Sequence, residues 1–283
     1  MRRLLAGALL ALAACSGQGH KWPAPSPALW EVSGPGGQHA WLFGTVHSLP
    51  SGMKWRTAKV DEALGKSNVL VVEIADLADA QAAKAAFYRL STTPGQPPLT
   101  TRVPQAGRPA VTALLTQAGL SDNDFPETET WGAAMILANR VSHGDPANGV
   151  DRALIAGGKR VEGFETFDEQ YGMFDRLPQA QQAALLVAMA RGAAGGEEDQ
   201  EAVDWLTGDT AALERESANG VLADAELRKT LQVDRNLAWD TRLEQMLADG
   251  EKPFVAVGAA HMFGPEGLPA LLAAHGYTVR RVE

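Results

Sequence analysis

Two histidines stand in the same context near opposite ends of this 283-residue sequence. In "WLFGTVHSLP" an apolar run reaches Gly44, and His47 follows three residues later. In "FVAVGAAHMFGPEG" the same spacing joins Gly258 to His261. Glycine would let the backbone turn sharply out of a sheet, so that each imidazole projects beyond the end of its strand. The pair therefore predicts two strand ends that place both histidines over one shared crevice.

Two acidic residues end apolar runs of a similar kind. Glu73 closes "VLVVE" and Glu165 closes "RVEGFE". A carboxylate at the end of a buried strand is costly unless it is ion-paired, hydrogen-bonded or bound to a metal. The structural alternative is a salt bridge from each acid to Arg152 or Arg235.

Two histidines, one or two carboxylates and an open position suit a bound Zn, Mn, Fe or Co ion. His47 and His261 would be the metal ligands, and a glutamate would be a further ligand or a base. Water on the metal would then be the hydrolytic nucleophile. Without a metal, the same groups could work as a Glu/His pair that activates water.

A further candidate stretch is "DRNLAWDTRLEQML", where Arg235 and Asn236 lead a predicted helix. A guanidinium can clamp a substrate carboxylate or a developing oxyanion, and an amide can orient water or a ligand. We therefore count Arg235 and Asn236 as candidate catalytic residues, together with Glu73 and Glu165. The alternative is an ordinary surface helix that Asp234 caps.

Other sites with recognisable signatures are absent from the sequence. It contains neither Gly-x-Ser-x-Gly nor His-Glu-x-x-His, and its lone cysteine excludes a zinc knuckle. Four more histidines are predicted to be solvated or structural: His20, His39, His143 and His275.

The elements that must position these residues alternate between strand and helix. Apolar runs predict strands over residues 29–33, 38–43, 69–74, 160–164, 254–257 and 277–282. The first two form a hairpin, and the run at 69–74 suits a buried parallel strand. A short terminal helix is predicted over residues 268–275, with Gly276 ending it.

Long segments rich in Ala, Leu, Gln and Glu predict helical insertions over residues 77–142 and 167–250. The predicted fold class is α/β, with a central mixed, largely parallel sheet, helical insertions and two Gly-x-x-His repeat-like units. No linker divides the sequence, so residues 29–283 are predicted to form a single domain.

The beginning of the sequence predicts export and anchoring. Basic residues and a short apolar run are typical of a signal peptide, here residues 1–14. Cys15, the only cysteine, ends "LAAC", which resembles the lipobox of bacterial lipoproteins. We expect Cys15 to carry lipid and residues 15–28 to form a flexible tether. Ser16 favours the outer membrane, with the domain facing the periplasm.

The charge of the chain bears on its partners. The formal net charge is −9 and basic tracts are absent. Nucleic acid is therefore not an expected partner, and attraction to anionic head groups would not hold the protein at a membrane. The acyl chains would have to supply that attachment. The sequence carries no signature of oligomeric state.

Six segments resemble a known family in their order and spacing. They are "LWEVSGPGGQHAWLFGTVHSLP", "VLVVEI", "ETWGAAMILA", "GVDRALIAGGKRVEGFETFDEQ", "VDRNLAWDTRLEQML" and "FVAVGAAHMFGPEGLPALLAAHGYTVRRV". They are similar to the TraB/GumN family, which is related to Tiki proteases and, more distantly, to erythromycin esterases and ChaN-like haem-binding lipoproteins. The resemblance implies an α/β fold with one cleft fed by both Gly-x-x-His motifs. The residues it points to are Gly44, His47, Glu73, Glu165, Arg235, Asn236, Gly258 and His261.

The sequence departs from the family pattern at three places. Val46 stands where isoleucine is commoner, and Ala259-Ala260 stands where relatives often have Ala-Gly. "ETW" precedes Gly132 where many relatives have Lys-Pro-Trp, which removes a positive charge expected near the cleft.

Together these observations predict a lipid-anchored, metal-dependent hydrolase that acts on a peptide or small-molecule substrate, with a peptide favoured. One alternative is a lipoprotein that binds haem, a metal or a small ligand without turnover. Another is a metal-free Glu/His hydrolase of the esterase type. The identity of the metal and of the substrate stays open at this point.

Overall fold

The computed structural model describes residues 21–142, 144–195 and 198–283 of the chain. The predicted signal peptide, the predicted lipidation site Cys15, His20 and His143 lie outside these residues. No helix in the described part is long and apolar enough to cross a membrane.

A single sheet organises the described residues. Its strands are β1 Leu29–Ser33, β2 His39–Thr45, β3 Val69–Ile74, β4 Val161–Glu165, β5 Pro253–Gly258 and β6 Thr278–Arg281. Their order across the sheet is β4-β3-β5-β2-β1-β6. The first four in this order run parallel, whereas β1 is antiparallel to both of its neighbours. The sheet is thus mixed and largely parallel, as the sequence predicts.

The register of the parallel strands aligns their carboxyl ends. Ile74 of β3 pairs with Glu165 of β4, and Thr45 of β2 pairs with Gly258 of β5. All residues of β3 are buried, as expected for an apolar strand in the middle of a sheet. Side chains that follow these strands therefore emerge at one edge of the sheet.

Helices fill both long segments between the strands, as the sequence predicts. The α-helices of the described residues, of which α1, α5 and α12 lie outside these two segments, are α1 Ala58–Lys66, α2 Ala80–Ser91, α3 Arg108–Ala118, α4 Thr130–Val141, α5 Val150–Ile155, α6 Phe167–Asp175, α7 Gln179–Gly195, α8 Glu198–Thr207, α9 Thr210–Asn219, α10 Ala225–Arg228, α11 Asp234–Ala248 and α12 Leu268–Ala274. Helices α3, α4 and α7 share a second apolar core around Trp131, separate from the core of the sheet. This helical layer lies beside the carboxyl edge of the sheet and supplies part of the wall of a cleft there.

Helix α6 shows how local sequence places a side chain at that edge. Thr166, directly after β4, accepts a hydrogen bond from Glu169 N, and the Glu169 carboxylate accepts one from Thr166 N. This reciprocal pair is a capping box, which fixes where a helix begins. As a result, Gln170 in the first turn of α6 stands close to the ends of β3 and β4.

The sequence assigns the segment before β1 to the tether, but the final residues of this segment contact the folded part of the chain. Ser26 N donates to Leu206 O of α8 at 2.8 Å, and Pro27 is buried. Trp22 packs against the core of the sheet. Residues 21–28 therefore follow the surface of the domain.

The strands from the two ends of the domain are neighbours. β6 pairs with β1 from Trp30–Arg281 to Ser33–Thr278. Val282 N donates to Leu29 O at 2.8 Å, which continues this pairing beyond β6.

Candidate functional site

The carboxyl ends of three neighbouring parallel strands form the floor of a cleft of about 630 Å³. β2 leads to His47, β3 ends near Glu73, and β5 leads to His261. Ligands of open α/β sheets bind at this edge. The structure brings both Gly-x-x-His histidines to one cavity, together with Glu73 and with Arg235 from α11.

The helical insertions supply the walls of the cleft. Met135 of α4, Phe174 of α6 and Leu213 of α9 are apolar, whereas Asp199 and Glu201 of α8 are acidic. A volume of this size and a mixed lining are typical of sites for small molecules and short segments of chain.

His47 forms a dyad with Asp151 of α5, a residue that the sequence analysis did not identify. His47 Nδ1 lies 2.9 Å from Asp151 Oδ2, and Thr45 Oγ1 donates to Asp151 Oδ1 at 2.6 Å. Asp151 is buried, whereas 70% of the His47 side chain is exposed. The hydrogen bond to Asp151, together with the negative charges of Asp151 and Glu73, raises the pKa of His47 from 6.5 to about 9. The carboxylate therefore stabilises the imidazolium form and leaves Nε2 available to the cleft.

His261 is held in the opposite protonation state. Asn236 Nδ2 donates to the backbone oxygens of Glu266 at 2.7 Å and of His261 at 3.3 Å, so its Oδ1 must accept from His261 Nδ1, 2.6 Å away. Burial, together with the positive charges of Arg235 and His47, lowers the pKa of His261 to about 3 despite the nearby Glu73. The ring is thus neutral, with its proton on Nδ1 and a lone pair on Nε2.

Asn236 does not face the cleft. The sequence analysis expected its amide to orient water or a ligand, but the side chain is fully buried and all its polar atoms bind protein groups. In this arrangement Asn236 fixes the tautomer of His261 and joins α11 to the loop after β5.

Arg235 connects the acidic residues to His261. Its Nε donates to Glu165 Oε1 at 2.7 Å, and its Nη2 donates to Glu165 Oε2 at 2.9 Å and to Glu73 Oε2 at 2.6 Å. Its Nη1 contacts His261 Nε2 at 3.1 Å and Leu231 O at 3.2 Å. These contacts engage all five N–H groups of the guanidinium. Arg235 therefore has no free donor for a substrate unless one of them is given up.

The salt-bridge alternative for both acids is thus present, with Arg235 as the partner. Glu165 lies behind Arg235 and does not line the cleft, whereas Glu73 does. Glu73 also accepts from Gly258 N at 2.8 Å and from Gln170 Nε2 at 3.0 Å. Burial opposes ionisation, but Arg235, the two histidines and the Gly258 N–H outweigh it and lower the pKa of Glu73 to about 2.

Trp239, one turn after Arg235, packs this network from the side. The Arg235 guanidinium lies 4.5 Å from the Trp239 ring, and the rings of Trp239 and His261 are 4.4 Å apart. Phe164 of β4 stacks on the same indole at 5.0 Å. These aromatic contacts help to fix the positions of the Arg235 guanidinium and the His261 ring.

At both motif glycines, neighbouring atoms lie so close to the backbone that a side chain would crowd them, and this explains the glycines better than a sharp turn of the backbone does. Neither has a positive φ, so the turning explanation offered by the sequence is wrong. A Cβ on Gly44 would lie 3.0 Å from Ala259 Cα, because β2 runs against the loop after β5. A Cβ on Gly258 would lie 3.1 Å from Glu73 Oε1, 3.7 Å from His261 Cδ2 and 4.0 Å from His47 Nε2. The space over Gly258 is therefore where these three side chains converge.

A π turn over Lys229–Val233 leads directly into α11. Asp234 pairs with Lys229 at 2.6 Å and does not cap the helix, so the surface-helix alternative is wrong. Within the turn, buried Gln232 donates to Ala260 O at 2.5 Å. Single π turns often occur at functional sites, and this one ties α11 to the loop that carries His261.

Sequence reasoning missed three side chains of the site: Thr45, Asp151 and Gln170. For Asp151 a signal existed, because an acid among the buried residues Val150 and Leu154 of α5 must find a partner. For Gln170 the sequence contains no comparable signal, since polar residues are common in the first turn of a helix.

The histidine pair has one feature of a metal site and lacks another. Each Nδ1 is held by an oxygen, of Asp151 or of Asn236, as is usual for metal-ligating histidines. His261 Nε2, however, faces Arg235, and this guanidinium stands where a metal cation would bind. The cleft residues as arranged do not fit a metal. Among the described residues, one group of three acids and histidines offers ligand atoms within 4.8 Å of one another, and it lies outside the cleft: Asp240, Glu244 and His275.

Comparison with known proteins finds similar sequences over nearly the whole chain. "Uncharacterized protein YbaP" of Shigella flexneri is 25% identical over 272 residues, which cover 92% of this chain and 96% of the relative. "Uncharacterized protein YbaP" of Escherichia coli (strain K12) matches with the same identity and coverage. No solved structure matches the chain. The model of the TraB/PrgY/gumN family matches residues 28–281, nearly the whole described domain, and the chain therefore belongs to that family.

Proposed function

We propose that this protein hydrolyses acyl bonds and that His47 and Asp151 are its general-base pair. The observation that carries the proposal is the dyad itself. A buried carboxylate, fixed by Thr45, holds one nitrogen of an imidazole whose other nitrogen is free toward a cleft. This is the arrangement by which enzymes orient a histidine and stabilise its protonated form.

In the proposed step, neutral His47 takes a proton from water at Nε2 while the water oxygen attacks the carbonyl carbon. The imidazolium that forms is stabilised by Asp151. It returns the proton to the leaving nitrogen or oxygen as the C–N or C–O bond breaks. Water is the only co-reactant, and the base is regenerated.

The space over Gly258 is the position we assign to the attacking water. It is bordered by His47 Nε2 and by Glu73 Oε1, and no side chain fills it. The Glu73 carboxylate can accept the second hydrogen of that water and so orient it. Arg235, which also contacts His261, holds Glu73 in place through its Nη2.

Peptides are the substrate class we test first. Met135, Phe174 and Leu213 give the cleft an apolar surface that can accept substrate side chains next to a reacting carbonyl. The remote relation of the family to Tiki proteases points to the same class by analogy.

The experiment measures hydrolysis of p-nitrophenyl esters and of fluorogenic peptides by the purified protein. We expect His47→Ala to lower kcat/KM by about 10²-fold or more, since general-base groups contribute on that order. His39→Ala removes a histidine of the β1–β2 hairpin outside the cleft and is the matched control, with kcat/KM within about twofold of wild type. Equal activity of the two variants would refute the proposal.

A pH profile tests the same assignment. Because the pKa of His47 is raised to about 9, the neutral base is a minor form at pH 7. The rate should therefore rise with pH, reach half of its maximum near pH 9 and level off above it. A rate that falls through this range would make His47 an acid in the reaction and contradict the proposed step.

The metal-dependent hydrolase is a second candidate, favoured by the way both Nδ1 atoms are held. It requires Arg235 to leave His261 Nε2, so that His47, His261 and Glu73 could bind a Zn, Mn, Co or Fe ion. Activity that survives exhaustive chelation supports the metal-free proposal. Activity that is lost and then restored by Mn or Co supports the second candidate. Binding of haem or a small ligand without any turnover would support a binding lipoprotein instead.

From the sequence we also propose that Cys15 carries lipid and attaches the protein to the outer membrane, with the cleft in the periplasm. Mass spectrometry of the amino-terminal peptide tests this, and we expect it to show an acylated Cys15. Cys15→Ser should move the protein from the membrane fraction to the soluble fraction. Wild type that fractionates like Cys15→Ser would refute the anchor.

A further inference from the structure

A second cluster of ionisable side chains lies where α11 meets the end of α12. Asp240 and Glu244 are one turn apart on α11, and His275 follows α12. His275 Nε2 lies 2.8 Å from Asp240 Oδ2, and His275 Nδ1 lies 3.3 Å from Glu244 Oε1. The three residues offer ligand atoms that are all within 4.8 Å of one another. None of them lines the cleft.

An independent observation concerns the other oxygen of Asp240. This residue is only 4% exposed, and its Oδ1 is enclosed without any hydrogen-bond partner. Among the described residues, one other buried side-chain atom, Trp131 Nε1, shares this condition. A buried carboxylate oxygen without a partner is costly, and such an atom commonly marks the place of a bound water or ion.

We propose that Asp240, Glu244 and His275 bind a divalent transition-metal ion. One imidazole and two carboxylates form the donor set that suits Zn²⁺, Co²⁺ or Mn²⁺. Asp240 would bind the ion through both oxygens, so that its unpartnered Oδ1 would gain the ion as a partner. His275 and Glu244 have side chains 41% and 37% exposed, so an ion can reach the cluster from solvent.

The place of the cluster indicates what the ion does. Arg235 and Asn236 lie in the first turn of α11, and α12 follows the loop that carries His261. An ion between α11 and α12 joins the two elements on which His261 depends. The site is therefore structural, and the inference does not depend on the proposed hydrolase activity.

The alternative is an imidazolium that bridges two carboxylates without any metal. The two arrangements differ in a measurable way, because metal binding requires a neutral histidine and releases protons, whereas the ion pair requires a charged one.

The experiment is a titration of the purified, chelator-treated protein with Co²⁺, whose visible absorption reports its ligands. We expect one equivalent of Co²⁺ to develop d–d bands and Zn²⁺ to displace it. His275→Ala should weaken binding at least tenfold. Glu244→Gln, which changes a half-buried group and keeps its shape, should weaken it too and guards against misfolding of the first variant. Circular dichroism checks that both variants are folded.

The controls separate this cluster from the cleft. His39→Ala and His47→Ala should each retain Co²⁺ binding within about twofold. If His47→Ala abolishes the bands and His275→Ala does not, the ion is in the cleft and this inference is wrong. That result would support the metal-dependent hydrolase instead. If no bands develop, the cluster is an ion-paired triad only, and the inference is also wrong.

A thermal measurement gives a second readout. Zn²⁺ at about 100 times its Kd should raise Tm by roughly 5–10 °C. The rise should be absent in His275→Ala and present in His47→Ala. A rise of equal size in His275→Ala would overturn the inference.

Discussion

The two histidines of the cleft, His47 and His261, differ in what their ring nitrogens contact. His47 gives its Nδ1–H to a carboxylate and keeps Nε2 free, which favours a proton carrier. His261 gives its Nδ1–H to an amide oxygen and its Nε2 lone pair to Arg235, which favours a fixed neutral ring. Two histidines in matching sequence motifs therefore have opposite protonation states at pH 7.

The first prediction concerns Asp151→Asn. The amide keeps the shape of the side chain but removes the negative charge, so the pKa of His47 should fall from about 9 toward 6.5. Thr45→Val keeps the negative charge of Asp151, so the pKa of His47 should stay raised, and this variant is the control. An NMR titration of the histidine ring protons measures both. An unchanged His47 pKa in Asp151→Asn would show that the dyad does not form in solution.

Sequence reasoning succeeded with residues that end strands and failed with residues whose role depends on helix orientation. His47, His261 and Glu73 follow apolar runs, so the edge they share could be predicted from the pattern. Asp151 and Asn236 lie on helices, and the face that each helix presents is set by tertiary packing. In addition, a π turn directly precedes α11, and propensity alone does not predict such a turn.

At the scale of elements, the cleft depends on how closely β2 approaches the loop after β5. Gly44 permits this approach, and Trp205 Nε1 of α8 donates to Gly44 O at 2.8 Å from the other side. The strand end that carries His47 is thus held between a loop and a helix. The strands were predictable from sequence because their apolar runs are long and bounded by turns, whereas this contact joins residues more than 200 positions apart.

The second prediction concerns Gly44→Ala. The added methyl would lie 3.0 Å from Ala259 Cα, which is backbone and cannot rotate away. We expect the free energy of unfolding to fall by about 1–3 kcal/mol, the usual cost of an overpacked site. Gly65→Ala is the matched control, because Gly65 lies on α1 with open space around it. That change should raise the free energy of unfolding by about 0.5–1 kcal/mol.

Urea unfolding measures the two free energies, with equal m values as the check on two-state behaviour. If Gly44→Ala proved as stable as wild type, β2 and the loop after β5 would have to be farther apart than the structure shows.

At the scale of the whole molecule, the perturbed side chains set the pH range in which the fold is most stable. His261 binds a proton below pH 6.5 when unfolded but only near pH 3 when folded. The unfolded chain thus binds more protons in this window, and stability is lost as pH falls through it. Glu73, with its pKa lowered from 4.5 to about 2, adds a loss below pH 4.5.

His47 acts on the alkaline side. Its folded pKa is raised to about 9, so its contribution is complete below pH 6.5 and is lost as pH rises through 9. The side chain is largely exposed, and solvent screening makes this contribution smaller than that of His261. From His47, Glu73 and His261 together, we expect the free energy of unfolding to be greatest near pH 6.5.

The third prediction follows for His261→Asn. Between pH 7 and pH 5 the wild-type protein should lose about 2 kcal/mol more of unfolding free energy than the variant, because the variant lacks the buried imidazole. Urea unfolding at the two pH values measures the difference. His39→Asn, the control, should retain the wild-type loss. A wild-type protein without the additional loss would show that folding does not lower the pKa of His261.

The pairing of β1 with β6 means that the covalent order of the elements can be changed without changing their neighbours. A bridge of a few residues from Glu283 to Leu29 would close the backbone into a ring, since strands from both ends already lie side by side. The ring can be reopened at Gly158, in the connection from α5 to β4, on the side of the sheet away from the cleft. In such a circular permutant Glu165 would precede His47, yet the same groups would meet over Gly258.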